Sequence, residues 1–330
     1  WQHIEVAGTA TGEAFVLGST NFATKLFKYN NVAELQYEVT LTNSSSALWH
    51  NRALELSIAP DGNLMILARI ASAALPNGLT TSTSWTYLLA KIDSSNGSYI
   101  WAKAVNPFDE TQWTTSASMQ SNNFSNNAML GFLAEMVVDS TGNTYVAWGT
   151  TGVSGWVKYD TNGTLTASYD RIADTTGESL GKYASKPIVV VLPDDSFFWF
   201  QLANKNFTNY LMGSKWASDG SVIFKNRTLY NTPTYTNVHT ANQMDSSHAR
   251  HTGVAVADAV GNMFVALRGH QGAIWKFNSE GTFISGTDQH LEDYSHGKGE
   301  VVLGTNGESV YALSLIHISS PRDWLQSRLP

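Results

Sequence analysis

Apolar residues in this chain fall into short runs, each closed by a cluster of Asp, Asn, Ser, Pro and Gly, and the runs come in pairs around a tight turn. The stretch SIAPDGNLMILA at 57–68 is typical: Gly supplies the positive φ that a tight β-turn demands, and the runs on either side read as strands. One such hairpin recurs as a Lys, an apolar or aromatic residue, usually Asp or Asn, and a turn: KYNN at Lys28, KIDSSNG at Lys91, KYDTNG at Lys158, KWASDG at Lys215 and KFNSEG at Lys276. A second hairpin reads TGEAFVLG at Thr11, PDGNLMILA at Pro60, STGNTYVAW at Ser140, PDDSFFWFQ at Pro193, AVGNMFVAL at Ala259 and TNGESVYAL at Thr305. The lysines are 63, 67, 57 and 61 residues apart, so one repeat is strand, tight turn, strand, variable loop, strand, tight turn, strand.

Four antiparallel strands in about 60 residues, with fixed turns and variable loops, predict an all-β chain built of propeller blades. The first two strands of a unit, such as AEMVVD and TYVAWGT, are nearly continuous apolar runs and are expected to be packed on both faces. The fourth, such as TLTASYDR, is mixed and suits an edge. Helical periodicity is not sustained anywhere, and the best helical candidate, 116–130, is too rich in Ser and Asn. The expected blades are 2–41, 53–105, 132–170, 186–229 and 252–290, with half a blade at 298–312. That count predicts five complete blades and a truncated sixth, a piece of a six-, seven- or eight-bladed parent.

Composition narrows the picture. Charged residues make up only 14% and hydrophobic ones 42% of 330 residues, against about 25% charged in ordinary domains. Ser, Thr, Asn and Gly fill the gap, as turn-rich β proteins require. The net charge of −7, without any Lys/Arg run, argues against nucleic acid as a partner. Apolar runs such as PIVVVL at 187–192 fall far short of the ~20 residues that cross a bilayer as a helix, so no membrane span is expected. With no cysteine, thiolate metal sites and cysteine nucleophiles are excluded. The chain opens at Trp1 with neither Met nor a basic-apolar leader and reads as processed or partial.

DSTGNTYVAWGT followed by SGWVKYDTNGTL, and APDGNLMILA followed by LLAKIDSSNGSYIWAKAV, resemble the blade repeats of bacterial cell-surface propellers, related in pattern to NHL and quinoprotein-type repeats. The resemblance covers 2–312 and implies architecture far more than activity. Further signature residues of quinoprotein enzymes are missing, and no cofactor is expected. LSLIHISS at 313–320 looks like a translated transposase-derived sequencing adapter, which makes 313–330 a non-native tail; a natural strand with a polar tail is the alternative.

Loops joining the fourth strand of one blade to the first of the next (42–52, 106–131, 171–185, 230–251, 291–297) should emerge on one rim. Those joining second to third strands (71–84, 203–208, 268–272) should join them there, because successive antiparallel strands alternate in direction. Functional residues concentrate in such long connectors. Arg52, Lys186, Arg250, His251, His296 and Lys298 stand just before first strands, and Arg268 and His270 in a neighbouring loop; together they are candidates for holding an anion or a carboxylate-bearing sugar. Solvated strand entries explain the same residues. Trp49 and Trp113, in long connectors, could stack on a sugar ring or plug a gap between blades. Trp101, Trp148, Trp199 and Trp275 lie on strands and are expected to pack between blades.

Other chemistry reads weakly. His248 and His251 could offer two imidazoles, with Asp245 the only nearby acid, and no metal is expected. The D-x-N-G element at 160–163 resembles the start of a calcium loop, but a hairpin turn explains it better. Asp109 with Glu110, or Glu292 with Asp293, are the imaginable carboxylate pairs, yet adjacent side chains point apart, whereas glycosidic chemistry needs them facing across ~5–9.5 Å. No nucleophile elbow, HExxH or phosphate-cradling glycine loop occurs. The reading is therefore a secreted or surface-displayed binding or scaffold module, more plausibly not an enzyme, engaging carbohydrate or protein through its long-loop rim. A virion- or envelope-associated structural propeller, part of a larger surface or fibre protein, and a polysaccharide lyase or glycosidase are the alternatives.

Overall fold

A computed structural model describes residues 3–20, 22–43, 52–71, 76, 79, 85–105, 133–150, 153–170, 187–205, 208–232, 253–267, 273–287, 299–303 and 310–314. Among them there are 22 β-strands and no helix, so none is long and apolar enough to cross a membrane. The strands form five four-stranded antiparallel sheets and one two-stranded sheet, the blade fold expected from the repeats.

The first sheet is β1 (His3–Gly8), β2 (Ala14–Ser19), β3 (Ala23–Tyr29) and β4 (Leu35–Asn43); the second is β5 (Arg52–Ile58), β6 (Leu64–Ala71), β7 (Trp85–Ile92) and β8 (Tyr99–Val105); the third is β9 (Leu133–Val138), β10 (Thr144–Thr150), β11 (Val153–Tyr159) and β12 (Leu165–Asp170). The fourth holds β13 (Ile188–Val191), β14 (Phe197–Lys205), β15 (Thr208–Trp216) and β16 (Val222–Thr232); the fifth holds β17 (Gly253–Ala257), β18 (Met263–Leu267), β19 (Ala273–Phe277) and β20 (Phe283–Thr287); β21 (Gly299–Leu303) and β22 (Val310–Ser314) form the two-stranded sheet. Every complete sheet is a meander in chain order. β22 runs through Leu313 and Ser314, which pair with Glu300 and Gly299, so the ladder includes the first two residues of the adapter-like stretch. Backbone pairing accepts almost any side chain, which is why the ladder continues there.

The chain divides into two compact units, 1–148 with 153–172, and 149–152 with 173–330. In the first unit β1 lies against β5 and β5 against β9; in the second, β13 lies against β17 and β17 against β21. First strands thus neighbour first strands, and sheets pack face to face. Phe15, Leu17 and Leu26 of the first sheet meet Leu64, Ile66, Ala68 and Leu88 of the second. On the other face of β6, Met65 and Leu67 join Met136, Val146 and Trp148 of the third sheet. This two-sided packing explains the unbroken apolar run of β6, each large buried side chain contributing about 1.5–3 kcal/mol. In the second unit Ile188, Val190, Phe198 and Phe200 meet Met263, Val265 and Trp275. Trp148, Trp199 and Trp275 are buried as expected, and Trp101 is half-buried.

Two expectations are corrected. β1 is not packed on both faces: Ile4 and Val6, which share one face of the first sheet, are exposed. The predicted loop 203–208 shrinks to two residues, since the β14–β15 ladder continues to Lys205↔Thr208, and the predicted loop start at 230 falls within β16. Polar Asn and Thr in these stretches stay in the ladder, whose hydrogen bonds are made by backbone rather than side chains. The helical candidate at 116–130 lies outside the described residues.

Candidate functional site

The two rims of the blades are built by different connections, and they use their side chains differently. One rim consists of the turns between first and second and between third and fourth strands. In nine of the ten described turns the first residue's N–H donates to the carbonyl four residues on, and its carbonyl accepts from the N–H three residues on; the turn at Asp93 is one residue longer. This is a three-residue hairpin loop whose last residue takes the left-handed conformation. Gly12, Gly62, Gly142 and Gly163 occupy that position at φ +77 to +87, whereas Ala33 and Asp195 adopt it at φ 62 and 59 without being glycine. Asp or Asn at the first position ties the loop: Asp139 Oδ1 accepts from the N–H of Thr141 and Asn143, and Asn278 Oδ1 from Glu280 and Thr282. Where that first residue is Ala59, Leu192 or Ala217, the Asp two places on accepts instead, as Asp61 does from Asn63. Asp160 Oδ1 accepts from Asn162 and Thr164 in the same manner, so the D-x-N-G element is a hairpin turn.

The repeated lysine belongs to this rim. Lys28 sits over the Phe15 ring, Lys158 over Tyr145 and Lys276 over Phe264, at 5.4, 4.8 and 4.9 Å from the ring centroids. Lys28 pairs with Glu13 at 2.9 Å, Lys91 with Asp61 at 2.7 Å and Lys158 with Asp139 at 3.3 Å. Lys91 and Lys215 also donate to backbone carbonyls in the next sheet, those of Thr161 and Ser279. Their charges are engaged in joining blades. Around Asp139, burial raises the carboxyl pKa, but hydrogen bonds from Asn143 and Thr141 and the Lys158 charge outweigh it and hold the group below the usual aspartate range. For Lys158, burial favours the neutral amine, and contacts with Tyr145 and Asp139 reverse that, raising its pKa.

The opposite rim carries the connectors between sheets, where the candidate binding residues were placed. Of these, Arg52 begins β5 with its backbone paired to Arg69. Trp49, Trp113, Lys186, Arg250, His251, Arg268, His270, His296 and Lys298 lie outside the described residues, as do the pair His248 and His251 with Asp245 and the acid pairs at 109–110 and 292–293. Among the described residues no cluster of three His, Asp or Glu could hold a metal.

Sequence reasoning missed Arg69. The register sets Arg52, Arg69, Tyr87 and Val105 in one row across the second sheet, at the connector end of its strands. Arg69 is only 1% exposed, and Tyr87 beside it is fully buried, its phenol pushed up by burial against the opposing influence of the Arg69 charge. Glu135 near the start of β9 is likewise buried. The available signal was a single charge inside an otherwise apolar strand, LMILARIA and LAEMVV, which is costly unless compensated. Near these groups Ser19 Oγ accepts from the Ala53 N–H at 3.0 Å, and Thr86 Oγ1 donates to the Val105 carbonyl at 3.0 Å.

No protein-family model and no curated protein matches the sequence. Among solved structures the chain is similar to a protein from Lactobacillus plantarum, at 12% identity over 96% of this chain and 77% of that one, with a TM-score of 0.52. It is also similar to the calcium-binding protein regucalcin from Agrobacterium tumefaciens (11% identity, 98% and 91% coverage, TM-score 0.45) and to an α-L-arabinanase of Penicillium chrysogenum complexed with arabinobiose (11% identity, 94% and 88% coverage, TM-score 0.49). At such identity the likeness to the Lactobacillus plantarum protein speaks to fold alone.

Proposed function

We propose that this chain is a secreted or surface-displayed propeller module that binds or scaffolds through its connector rim, its ligand being a carbohydrate or another protein. The observation that carries this reading is the asymmetry of the rims. On the tight-turn side, the described lysines and aspartates are committed to turns, ring faces and neighbouring sheets. Binding residues concentrate in long connectors, and the sequence assigns the candidate cations to those of the other rim. The cations that sequence assigns to this rim suit a carboxylate-bearing sugar, and Arg69, buried at the connector end of the second sheet, adds a charge set below the surface.

The test is calorimetric titration with an oligogalacturonate, beside neutral arabinobiose, of the full chain and two variants. Arg250→Ala/His251→Ala is expected to weaken oligogalacturonate binding about tenfold or more, the equivalent of losing ~1.4 kcal/mol, while Lys28→Ala on the opposite rim leaves it unchanged. Equal loss in both variants would overturn the reading. Release of unsaturated or reducing ends during the titration would establish the lyase or glycosidase alternative, and absence of heat with either sugar would favour a structural or protein-binding role.

A further inference from the structure

Two of the tight turns carry the same dipeptide in the same place and hold it differently. Asn96–Gly97 and Asn162–Gly163 each put an exposed asparagine just before the left-handed glycine, at φ +76 and +77. In both, the glycine N–H donates to the carbonyl of the turn's first residue, Asp93 at 2.8 Å and Asp160 at 3.0 Å. Glycine matters chemically here as well as conformationally: without a side chain beside it, its backbone nitrogen is the least hindered nucleophile that a preceding carboxamide can meet.

The two carboxamides differ. That of Asn96 is held at both ends: Oδ1 accepts from the Ser98 N–H at 2.8 Å, and Nδ2 donates to Asp93 Oδ2 at 3.3 Å. That of Asn162 makes no hydrogen bond among the described residues. Turn length is the cause. In the turn at 160–164, Asp160 Oδ1 takes the N–H of Asn162 and also that of Thr164, two residues beyond the asparagine. In the longer turn, Asp93 Oδ1 takes the Ser95 N–H, and the equivalent N–H, on Ser98, is left for Asn96.

We propose that Asn162 is a site of spontaneous deamidation in the folded protein and that Asn96 is protected from it. The Gly163 nitrogen gives up its proton and attacks Asn162 Cγ; the new N–C bond closes a cyclic imide, the Cγ–Nδ2 bond breaks, and the amide nitrogen leaves as ammonia, taking up a proton. Water then opens the imide at one carbonyl to give aspartate or at the other to give isoaspartate. Isoaspartate inserts a methylene into the main chain between Thr161 and Gly163. There the Thr161 carbonyl accepts from Trp101 Nε1 at 2.9 Å, and a Cβ on Gly163 would come within 2.8 Å of the Trp101 ring, so the change falls on the seam between the second and third sheets.

Peptide mapping by mass spectrometry of the full chain, aged at mildly alkaline pH with and without urea, tests this. In the folded chain Asn162 is expected to deamidate about tenfold faster than Asn96, ~1.4 kcal/mol of barrier, the scale of the two hydrogen bonds that Asn96 must first break. In urea the two rates should become similar. Asn162 no faster than Asn96 in the folded chain would overturn the proposal, as would the same ratio in urea, since neighbouring letters and not the turn would then set it. Asp93→Asn keeps an oxygen for the Ser95 N–H but removes the acceptor of Asn96 Nδ2. It should speed Asn96 about threefold, one hydrogen bond's worth, and leave Asn162 unchanged. An unaltered Asn96 rate in that variant, with its circular dichroism intact, would also overturn it.

Discussion

At the scale of single residues, the side chains that look reactive in the sequence are mostly spoken for. Lys158 and Asp139 are the sharpest case, both nearly excluded from water and 3.3 Å apart. Removing one partner strands the other as a buried charge, so Lys158→Met is expected to lower unfolding free energy by about 3 kcal/mol in urea titrations at neutral pH. The sign with pH follows from the depressed carboxyl. A folded-state pKa below the unfolded value stabilises the protein above the unfolded pKa of about 4 and ceases to do so as pH falls through the folded value. The stability gap between the natural chain and Asp139→Asn should therefore be full at pH 6 and narrow progressively as pH falls below about 4, the unfolded value. A gap that is constant over that range would show that the Asp139 charge contributes nothing. The phenols of Tyr37 and Tyr159, raised to about 12, stay protonated throughout. Arg69 is the opposite kind of residue, legible only as one oddly placed charge in a run of apolar letters, with a meaning that depends on which row of the sheet it joins.

At the scale of elements, the tight turn is the unit in which sequence and structure agree best, and glycine there has two separable roles. Gly62 takes φ +81 with nothing within 4 Å of a Cβ, whereas Gly163 takes φ +77 with Trp101 2.8 Å from one. Gly62→Ala should cost about 1–2 kcal/mol, the left-handed penalty alone. Gly163→Ala should cost about 1–3 kcal/mol more, because the side chain it displaces is part of the seam between sheets. Ala33→Gly should stabilise by up to about 1 kcal/mol, relieving the same penalty with no seam to disturb. Chemical unfolding of the three variants tests the ordering, and equal losses at Gly62 and Gly163 would remove the seam from the account. The motif KYNN at Lys28 marks a turn correctly but conceals that Ala33 is its left-handed residue, since alanine carries no sequence signal for that conformation.

At the scale of the whole molecule, the adapter-like reading of the tail makes a plain prediction. β22 ends at Ser314, so deleting 316–330 should leave the unfolding midpoint within about 2 °C, a change of well under 1 kcal/mol. A larger drop in a thermal melt would mean that these residues take part in the fold. The repeat period, the turn residues and the alternation of apolar runs were enough to specify four-stranded antiparallel sheets, because strand and turn preferences act over a few neighbouring residues and are written in the letters themselves. What tertiary structure alone decided is how those sheets are used. Met65 and Leu67 serve a different neighbour from Leu64 and Ile66, the lysines are drawn into seams, Arg69 is buried in a row with Arg52 and Tyr87, and Val6 in the first sheet is left exposed. Each of these depends on which surfaces meet across about 60 residues of chain, and such contacts are set by packing and register between sheets, which no local pattern encodes.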